Sequence, residues 1–431
     1  MKKSKYNFKV DLEGRSEYIL YNSKTNALAV LEGDEISAYE EEKFEGLGTK
    51  MKNNFLQGGF LVEDDIDELE EIRFRLNRSR YSTSSLSLTI ALTADCNFRC
   101  AYCYEKENLK DSYMTKKHRE NIVRFVEDAA KNGLGSLNIT WYGGEPLLAF
   151  SDLKYLAENF LRLKEQYKFN YFSFMVSNGF LLNRKIVEEL NRLQVSGYQI
   201  TIDGDEKSHN KKRFLKGGGA TYRTILDNLK NSIDILPNIS LRINVDKQNI
   251  DKINGLISEL ESINKDDKIS TYLGKVENYK SLYADSLCLS DVEFSKKEFE
   301  FFKGTYPSAI LEKYPNLRGN FCGADGLSSY VMASDGKVFK CWSDIGYEKT
   351  AIGHLTEDGI SLNNRSYYLD LMNFDPTSDK ECSACAYLPI CMGGCPYDRI
   401  NKKQKTCLKN NYYFDGYIKE ITSLLLGNPF N

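Results

Sequence analysis

Three cysteines with the spacing CX3CX2C form the most reactive pattern in this sequence. Cys96, Cys100 and Cys103 directly follow an apolar, strand-like run at Ser87–Thr93. A cubane iron–sulfur cluster is normally held by four cysteine thiolates, so a loop that supplies three would leave one iron open to an outside ligand. Open coordination separates a reactive metal site from a closed structural one. The loop therefore indicates a reactive iron–sulfur cluster, with a zinc loop or ordinary core thiols as the alternatives.

The length and charge of the chain limit the class of protein. With 431 residues, it is long enough for two or three domains, because a single core seldom grows beyond about 250–300 residues. The net charge of -3 gives no overall basic surface of the kind that nucleic-acid binding needs. The amino-terminal residues lack an apolar stretch, and no run of eighteen apolar residues occurs. We therefore expect a cytoplasmic protein that binds neither nucleic acid nor a membrane.

The chain contains eleven cysteines but only three histidines. In the cytoplasm, cysteines are more often metal ligands or catalytic thiols than partners in disulfides. Thiolate-bound iron is therefore a better interpretation of this composition than a histidine-rich metal site.

Apolar strand-like runs alternate with helical patterns between residues 84 and 275. This alternation predicts a parallel sheet covered by helices, with the active site at the carboxyl ends of the strands. Two of the helical stretches lie at 115–131 and 221–235. The predicted strands are 86–92, 137–142, 171–176, 198–202, 240–245 and 269–273.

The cysteine loop, with Tyr102 just before its third cysteine, resembles the signature of the radical S-adenosylmethionine (radical SAM) enzymes. The resemblance implies a [4Fe-4S] cluster on the three thiolates, with SAM chelated to the open iron. One electron then cleaves SAM to a 5′-deoxyadenosyl radical that takes a hydrogen atom from the substrate, so the hard chemistry belongs to the cofactor. The six strand–helix units resemble the partial (β/α)6 TIM-like barrel of this family.

A Gly143-Gly144-Glu145 motif follows the second predicted strand. Paired glycines let the backbone approach a ligand closely, although Gly-Gly before Glu-Pro is also a common turn. The motif resembles the GGE motif of radical SAM enzymes, which implies that these three residues contact the amino group of SAM.

Polar residues stand at the ends of the next strands, and the stretch 201–222 resembles a segment that recurs in radical SAM enzymes acting on peptides and proteins. The alternative role of Arg242 is an ion pair within the barrel. The alternative role of His209 is a hydrogen bond within its loop. The resemblance makes Tyr102 of the cysteine loop a candidate for contact with SAM, together with five of these residues: Ser177, Asn178, Asp203, Arg242 and Asn244.

Seven more cysteines lie within the 86 residues from 322 to 407, and Gly336 precedes one of them. A double zinc ribbon is the alternative for such a cysteine-rich segment. The order and spacing resemble the SPASM extension of radical SAM enzymes, which holds two auxiliary [4Fe-4S] clusters. The resemblance assigns Cys382, Cys385, Cys391 and Cys407 to the second auxiliary cluster, and Cys322, Cys341 and Cys395 to the first.

Cys288 is the one cysteine that these patterns leave over. If it is the fourth ligand of the first auxiliary cluster, the chain uses all eleven cysteines for three [4Fe-4S] clusters. If it is not, that cluster has an open iron that a substrate thiolate could occupy. The sequence leaves both assignments open.

The first 83 residues contain a predicted hairpin, two amphipathic helical stretches, a further strand and a charged linking helix. This layout resembles the winged-helix domain that recognises leader peptides in enzymes that modify ribosomally made peptides; the alternative is a packing extension of the barrel. The predicted domains are the winged-helix-like domain at 1–83, the α/β radical SAM barrel with a bridging region at 84–315, and the iron–sulfur SPASM domain at 316–431.

The residues around Cys341 bear on the substrate. SPASM enzymes that generate formylglycine place an aspartate base directly after this cysteine, whereas this chain has Trp342 there and Asp344 two positions later. A base must reach its proton through a hydrogen bond, so Asp344 is a candidate base only at a displaced position.

We therefore predict a peptide maturase that forms a thioether or carbon–carbon crosslink in a ribosomally synthesised precursor peptide. The amino-terminal domain would bind the leader of that peptide, and flavodoxin or ferredoxin would supply electrons. A formylglycine-generating anaerobic sulfatase-maturing enzyme is the alternative activity, and a zinc-ribbon binding protein is the alternative outside enzymology.

Overall fold

The computed structural model describes residues 1–264 and 267–427. They fall into two compact units. Unit 1 comprises Met1–Tyr81, Ser290–Gly326 and the chain from Asn373 onward, and unit 2 comprises Ser82–Leu289 and Leu327–Met372. This grouping is spatial, and the predicted functional division at residues 83 and 315 stays a prediction. Among the helices of the described chain, none is both long and apolar enough to cross a membrane.

The strands of the described residues are numbered in chain order. They are β1 (Lys2–Lys3), β2 (Asn7–Asp11), β3 (Tyr18–Asn22), β4 (Ala27–Leu31), β5 (Leu61–Val62), β6 (Ser85–Ala91), β7 (Ser136–Tyr142), β8 (Asn170–Ser177), β9 (Gly197–Thr201), β10 (Ile239–Val245), β11 (Ile269–Lys275), β12 (Ser329–Met332), β13 (Lys337–Phe339), β14 (Gly353–Thr356) and β15 (Gly359–Leu362).

The α-helices are numbered in the same way, and short 3-10 turns connect several of them. They are α1 (Asp34–Glu40), α2 (Thr49–Gln57), α3 (Glu68–Arg80), α4 (Lys116–Lys131), α5 (Phe150–Tyr167), α6 (Arg184–Arg192), α7 (Glu206–Lys212), α8 (Tyr222–Ser232), α9 (Asn254–Ile263), α10 (Asp291–Thr305), α11 (Arg365–Met372), α12 (Lys380–Ser383), α13 (Leu388–Cys391), α14 (Leu408–Asn411) and α15 (Phe414–Leu426).

Unit 2 is built on one ten-stranded sheet, in the order β11-β10-β9-β8-β7-β6-β12-β13-β14-β15. The strands β6 to β11 are parallel to their neighbours, which confirms all six predicted strands and the α/β class. Trp141 of β7 is fully buried and stacks on Phe160 of α5. Helix α4 begins where the sequence predicts a helix, because the Thr115 side chain accepts a hydrogen bond from His118 N at 3.2 Å.

Unit 1 contains the antiparallel sheet β2-β3-β4 with helices α1 to α3. The predicted hairpin is β3 and β4, and the predicted linking helix is α3. Segments distant in sequence complete this unit: Ile72 of α3 packs with Leu388 and Met392, and Ile19 of β3 packs with Ile418 of α15. The role of the amino-terminal segment in leader recognition stays a prediction.

Candidate functional site

The loop that carries Cys96, Cys100 and Cys103 follows β6 in unit 2. Its backbone pairs with the segment Lys212–Lys216, which follows α7. These contacts fix the path of the loop between its cysteines. Three hydrogen bonds of 2.7–2.9 Å join the two segments: Arg99 N to Phe214 O, Ala101 N to Lys212 O, and Lys216 N to Asn97 O.

The three thiols of the loop influence one another. Burial is the largest cause that raises the pKa of Cys96, and the charges of Glu145, Cys100 and Cys103 add to it. Burial also raises the pKa of Cys100 and brings that of Cys103 to about 12, with contributions from Glu105 and Cys100. The structure therefore brings the three predicted ligands together in a partly buried group, in which proton loss requires a compensating positive charge.

The Gly-Gly-Glu motif packs its backbone directly against the cysteine loop. Gly144 N donates to Thr93 O at 3.0 Å, and Glu145 N donates to Asp95 O at 2.9 Å. A Cβ atom on Gly143 would lie 2.5 Å from Thr93 O, and one on Gly144 would lie 2.2 Å from Asp95 O. These glycines are therefore needed because the loop approaches so closely. Their contact with SAM stays a prediction.

Glu145 is completely buried, and its carboxylate connects the motif to the end of β8. One oxygen accepts from Ser177 Oγ at 2.9 Å and from Leu147 N at 3.1 Å, and the other accepts from Asn178 N at 2.8 Å. Burial raises the pKa of Glu145, although these hydrogen bonds oppose the shift. Asn178 Nδ2 donates to Asn97 Oδ1 at 2.8 Å. Three predicted SAM contacts thus lie together beside the cysteine loop, joined by their own hydrogen bonds.

The hydroxyl of Tyr102 is the centre of a second polar network. It accepts hydrogen bonds of 2.9 Å from Arg213 Nη1 and Asn244 Nδ2 and donates to the Asp203 carboxylate. Asp203 is fully buried, and burial raises the pKa of both Asp203 and Tyr102. Arg242 Nε donates to Asn244 Oδ1 at 2.7 Å, so its observed partner is an amide. The structure therefore joins Tyr102, Asp203 and Arg242, and their contact with SAM stays a prediction.

His209 has a structural role in unit 2. Its ring is fully buried; Nδ1 accepts from Asp203 N at 3.1 Å, and Nε2 lies 3.0 Å from Thr221 Oγ1. Both ring nitrogens therefore have partners outside helix α7, as the alternative role of a hydrogen-bonded histidine requires.

A buried ion pair beside the cysteine loop was not predicted. Lys212 Nζ lies 2.6 Å from Asp246 Oδ2, and these side chains are only 4% and 0% exposed. Tyr283 OH donates to the same oxygen at 2.7 Å. Asp246 directly follows β10, so its position at a strand end was the available signal. Arg213 also escaped assignment, although it lies in the stretch that carries the family resemblance.

The residues after Cys341 form part of unit 2. Trp342 is half exposed and stacks on Tyr142, with ring centroids 5.8 Å apart and planes 17° from parallel. Tyr142 OH contacts Tyr104 OH in turn. Asp344 is fully buried and accepts from Tyr367 OH at 3.0 Å. The candidate base is therefore held inside the unit, and its catalytic role stays a prediction.

Two further predicted features also lie in unit 2. Gly336 has a φ of +90°, and a Cβ atom there would lie 3.4 Å from the His118 ring, which explains a glycine before Cys341. Cys288 is partly buried, with Sγ 3.6 Å from Ala284 O. Burial raises its pKa, with Asp285 as the next cause. Whether Cys288 completes the first auxiliary cluster remains open.

Four cysteines of unit 1 line one cavity of about 70 Å³, here called the four-cysteine cavity. The short helices α12 and α13 bring two of them together, and the others lie beside these helices and at the start of α14. Within the described residues, no three Cys, His, Asp or Glu side chains converge as the ligands of a single metal ion do. The cysteines are Cys382, Cys385, Cys391 and Cys407, the same four that the sequence assigns to the second auxiliary cluster.

Cys322 and Cys395 also lie in unit 1. Burial, followed by Asp325 and other groups that include Cys395, shifts the pKa of Cys322 to about 12. Burial raises that of Cys395 to about 11. These two predicted ligands of the first auxiliary cluster are therefore neighbours.

Residues 90–260 match the family described as the radical SAM superfamily. This segment contains the cysteine loop, the Gly-Gly-Glu motif and the Tyr102 network described above. The chain therefore contains a radical SAM domain and is an enzyme, and the chemistry of that superfamily implies one [4Fe-4S] cluster and SAM.

The relatives include a radical SAM cyclopropyl synthase and a maturation protein. The radical SAM cyclopropyl synthase TigE of Paramaledivibacter caminithermalis is 22% identical over 403 residues, which cover 87% of this chain and 81% of TigE. The sporulation killing factor maturation protein SkfB of Bacillus subtilis is 22% identical over 282 residues, which cover 64% of each protein.

Two solved structures share the fold. The anSMEcpe protein with bound AdoMet has a TM-score of 0.59 at 18% identity, over 79% of this chain and 98% of that protein. SuiB of Streptococcus suis, bound to the precursor peptide SuiA, has a TM-score of 0.53 at 18% identity, over 97% of this chain and 99% of SuiB. These likenesses confirm the α/β radical SAM fold.

Proposed function

We propose that this enzyme is a radical SAM/SPASM peptide maturase that crosslinks a ribosomally synthesised precursor peptide through a thioether or carbon–carbon bond. The observation that carries the proposal is the four-cysteine cavity, which accompanies the three-cysteine loop in the same chain. Two separate groups of thiols match a radical SAM core with an auxiliary cluster. Together with Cys322, Cys341 and Cys395, they would hold three [4Fe-4S] clusters.

The residues present fit these groups. At the loop, three mutually interacting thiols supply a ligand set that is one short of four. At the four-cysteine cavity, four cysteines line one space, which matches the four thiolates that normally hold a cubane cluster. We therefore favour iron–sulfur clusters at both places.

When bound, a reduced [4Fe-4S] cluster and SAM supply a 5′-deoxyadenosyl radical that can take hydrogen from a substrate carbon. The chain itself provides position and exclusion of water. Phe98 lies in the cysteine loop with 1% of its surface exposed, and the Arg213 guanidinium covers its ring at 5.7 Å. The hydroxyl of Tyr102 and the amide of Asn244 would present hydrogen-bonding groups to the polar parts of SAM. The Trp342–Tyr142 stack provides an aromatic surface on which a peptide side chain can pack.

The precursor peptide is the proposed partner. SkfB is named for the maturation of a killing factor, and SuiB was solved with its precursor peptide SuiA. We propose that the amino-terminal sheet β2-β3-β4 and its helices bind the leader of such a peptide. We also propose that flavodoxin or ferredoxin delivers the electrons, and that the enzyme acts in the cytoplasm.

Formylglycine formation remains the alternative activity. The anSMEcpe fold is similar, but the position after Cys341 is Trp342, and Asp344 is buried in a hydrogen bond with Tyr367. A general base must reach its proton through a hydrogen bond, and Asp344 stands two positions after the place where formylglycine-forming enzymes carry their base. The local geometry therefore favours crosslinking over formylglycine formation.

Metal analysis of anaerobically purified enzyme tests the proposal. We expect about twelve irons per chain, since three cubane clusters contribute four each, and reductive cleavage of SAM. The Cys382→Ala/Cys385→Ala variant should contain about eight irons and still cleave SAM, whereas Cys96→Ala/Cys100→Ala should also contain about eight but lose cleavage. Zinc in place of iron would refute the assignment.

Two further measurements address the finer points. Mass spectrometry of a co-expressed precursor should show the loss of two hydrogens; a product that resists thiol alkylation indicates a thioether, and intact thiols indicate a carbon–carbon bond.

The Cys288→Ala variant tests the ligands of the first auxiliary cluster. A full iron content would mean that Cys288 is not a ligand and that one iron of this cluster is open to a substrate thiolate. A loss of iron would make Cys288 the fourth ligand.

A further inference from the structure

Arg399 holds one sulfur of the four-cysteine cavity from outside the ligand set. Its side chain is only 10% exposed, and each nitrogen of the guanidinium has a different partner. Nε donates to Gly393 O at 2.6 Å, Nη1 donates to Asp379 Oδ2 at 3.2 Å, and Nη2 donates to Cys382 Sγ at 2.9 Å. The guanidinium also lies over the Phe374 ring at 5.1 Å. Its orientation is therefore fixed on all sides.

The surrounding backbone supports this geometry. Arg399 lies on a π-helical turn, Asp398–Lys402, a conformation that is often found at functional sites. Asp379 Oδ1 caps α12 by accepting from Glu381 N and Cys382 N, each at 3.0 Å. The same carboxylate thus orients both the backbone of Cys382 and the guanidinium that donates to its sulfur. Lysine could not replace arginine here, because its single ammonium group lacks the planar set of donors with which the guanidinium binds three partners at once.

Hydrogen bonds to cysteine sulfur and nearby charge are among the properties that set the reduction potential of an iron–sulfur cluster. When a cluster gains one electron from a reductant, its negative charge increases and no protein bond needs to break. A buried cation that donates to a ligand sulfur stabilises that added charge.

We propose that Arg399 is a positioning residue that raises the reduction potential of the cluster in the four-cysteine cavity, through its N–H···S hydrogen bond to Cys382. This inference rests on the proposed function, because it requires that the cavity holds a [4Fe-4S] cluster. Arg399 would thereby make this cluster a better one-electron acceptor than its cysteine ligands alone would.

The test is a redox titration of full-length holoenzyme with dithionite, followed by electron paramagnetic resonance. The Cys382→Ala/Cys385→Ala variant identifies the signal of this cluster, because that signal should be missing from its spectrum. Arg399→Gln removes the charge and the fork, and Arg399→Lys keeps the charge alone. Lys405→Gln is the control for charge without a hydrogen bond to sulfur: it also removes a cation that lines the cavity and contacts Asp379, at 3.0 Å, but Lys405 is 35% exposed and its ion-pair partners are carboxylates.

We expect Arg399→Gln to shift the midpoint to a more negative potential, and both Arg399→Lys and Lys405→Gln to shift it less. A shift in Arg399→Gln no larger than that in Lys405→Gln would overturn the proposal. If Arg399→Gln loses its cluster, Arg399→Lys decides: a more negative potential supports the proposal and a wild-type potential overturns it. Wild-type enzyme without this signal, or with no iron lost in the double cysteine variant, would instead refute the proposed cluster.

Discussion

Replacing Lys212 with methionine should destabilise unit 2 far more than replacing an exposed lysine would. Lys212 and Asp246 are buried as a pair, with 2.6 Å between Nζ and Oδ2. Methionine keeps most of the side-chain volume but leaves the carboxylate without its cation. Breaking a buried ion pair on one side costs about 3–5 kcal/mol. We expect the lower end, about 3 kcal/mol, because Tyr283 OH and Gln248 N still donate to Asp246.

Urea denaturation followed by tryptophan fluorescence measures this loss. Both tryptophans, Trp141 and Trp342, lie in unit 2, so the signal reports the unit that carries the mutation. With a urea dependence of about 3 kcal/mol per molar, the midpoint should fall by about 1 M. Lys216→Met is the matched control, because Lys216 is 61% exposed and 3.8 Å from Asp95. It should change stability by less than about 0.5 kcal/mol.

The pH dependence provides an independent check. Burial opposes ionisation of Asp246, but Lys212, Tyr283 and Gln248 N hold its pKa below the usual value. In the wild type, this carboxylate therefore adds stability above the unfolded-state pKa of about 3.9, which is lost as the pH falls through the lower folded-state pKa. Without Lys212, burial should raise the folded-state pKa, so the destabilisation is largest at neutral pH and shrinks on acidification. Equal effects of the two lysine variants, or a constant difference between pH 7 and 4, would refute this reasoning.

Three other changes have specific expected outcomes. Gly144→Ala places a Cβ atom 2.2 Å from Asp95 O, so iron bound at the cysteine loop should fall, whereas Gly217→Ala, with no atom within 4 Å, should retain it in the same iron assay. Tyr102→Phe removes a hydroxyl with three buried partners and should cost about 1–3 kcal/mol in urea denaturation; a cost below that of Gly217→Ala would contradict the network. Thr115→Ala removes the cap of α4 and should cost about 1 kcal/mol, and an unchanged urea midpoint would show that the cap is not needed.

The strands of unit 2 could be predicted because buried parallel strands appear in a sequence as short apolar runs at regular intervals. Topology then predicted that residues at their carboxyl ends would meet. Asp203 and Tyr102 do so, although 101 residues separate them in sequence. The hydrogen-bond partners within this cluster were harder to predict from the sequence, because a carboxylate such as that of Glu145 can accept hydrogen bonds from a ligand or from neighbouring residues. The structure shows which neighbours donate to this carboxylate, namely Ser177 and Asn178, and the contact of Glu145 with SAM stays a prediction.

Contacts between distant segments explain why the assembly of unit 1 could not be predicted, although its hairpin and linking helix could. The cysteine-bearing segment after Asn373 is too short to bury a sufficient core alone, and its Leu388 and Met392 pack on Tyr6 and Ile72. No local pattern in the sequence encodes a pairing across more than 300 residues, because each apolar residue is compatible with many partners. A polar contact also joins the two distant segments: Arg75 Nη2 donates to Pro389 O at 3.0 Å.

The packing of unit 1 also bears on the proposed auxiliary cluster. Ser23 Oγ donates to Ala386 O at 2.5 Å, which places the amino-terminal segment directly on the residue after Cys385. Metal binding adds its free energy to the folding of the segment that holds the ligands. Because that segment shares its core with α3 through Ile72, a cluster in the four-cysteine cavity should also stabilise the proposed leader-binding segment. The two proposed functions would thus depend on one hydrophobic core, even though their residues lie far apart in the sequence.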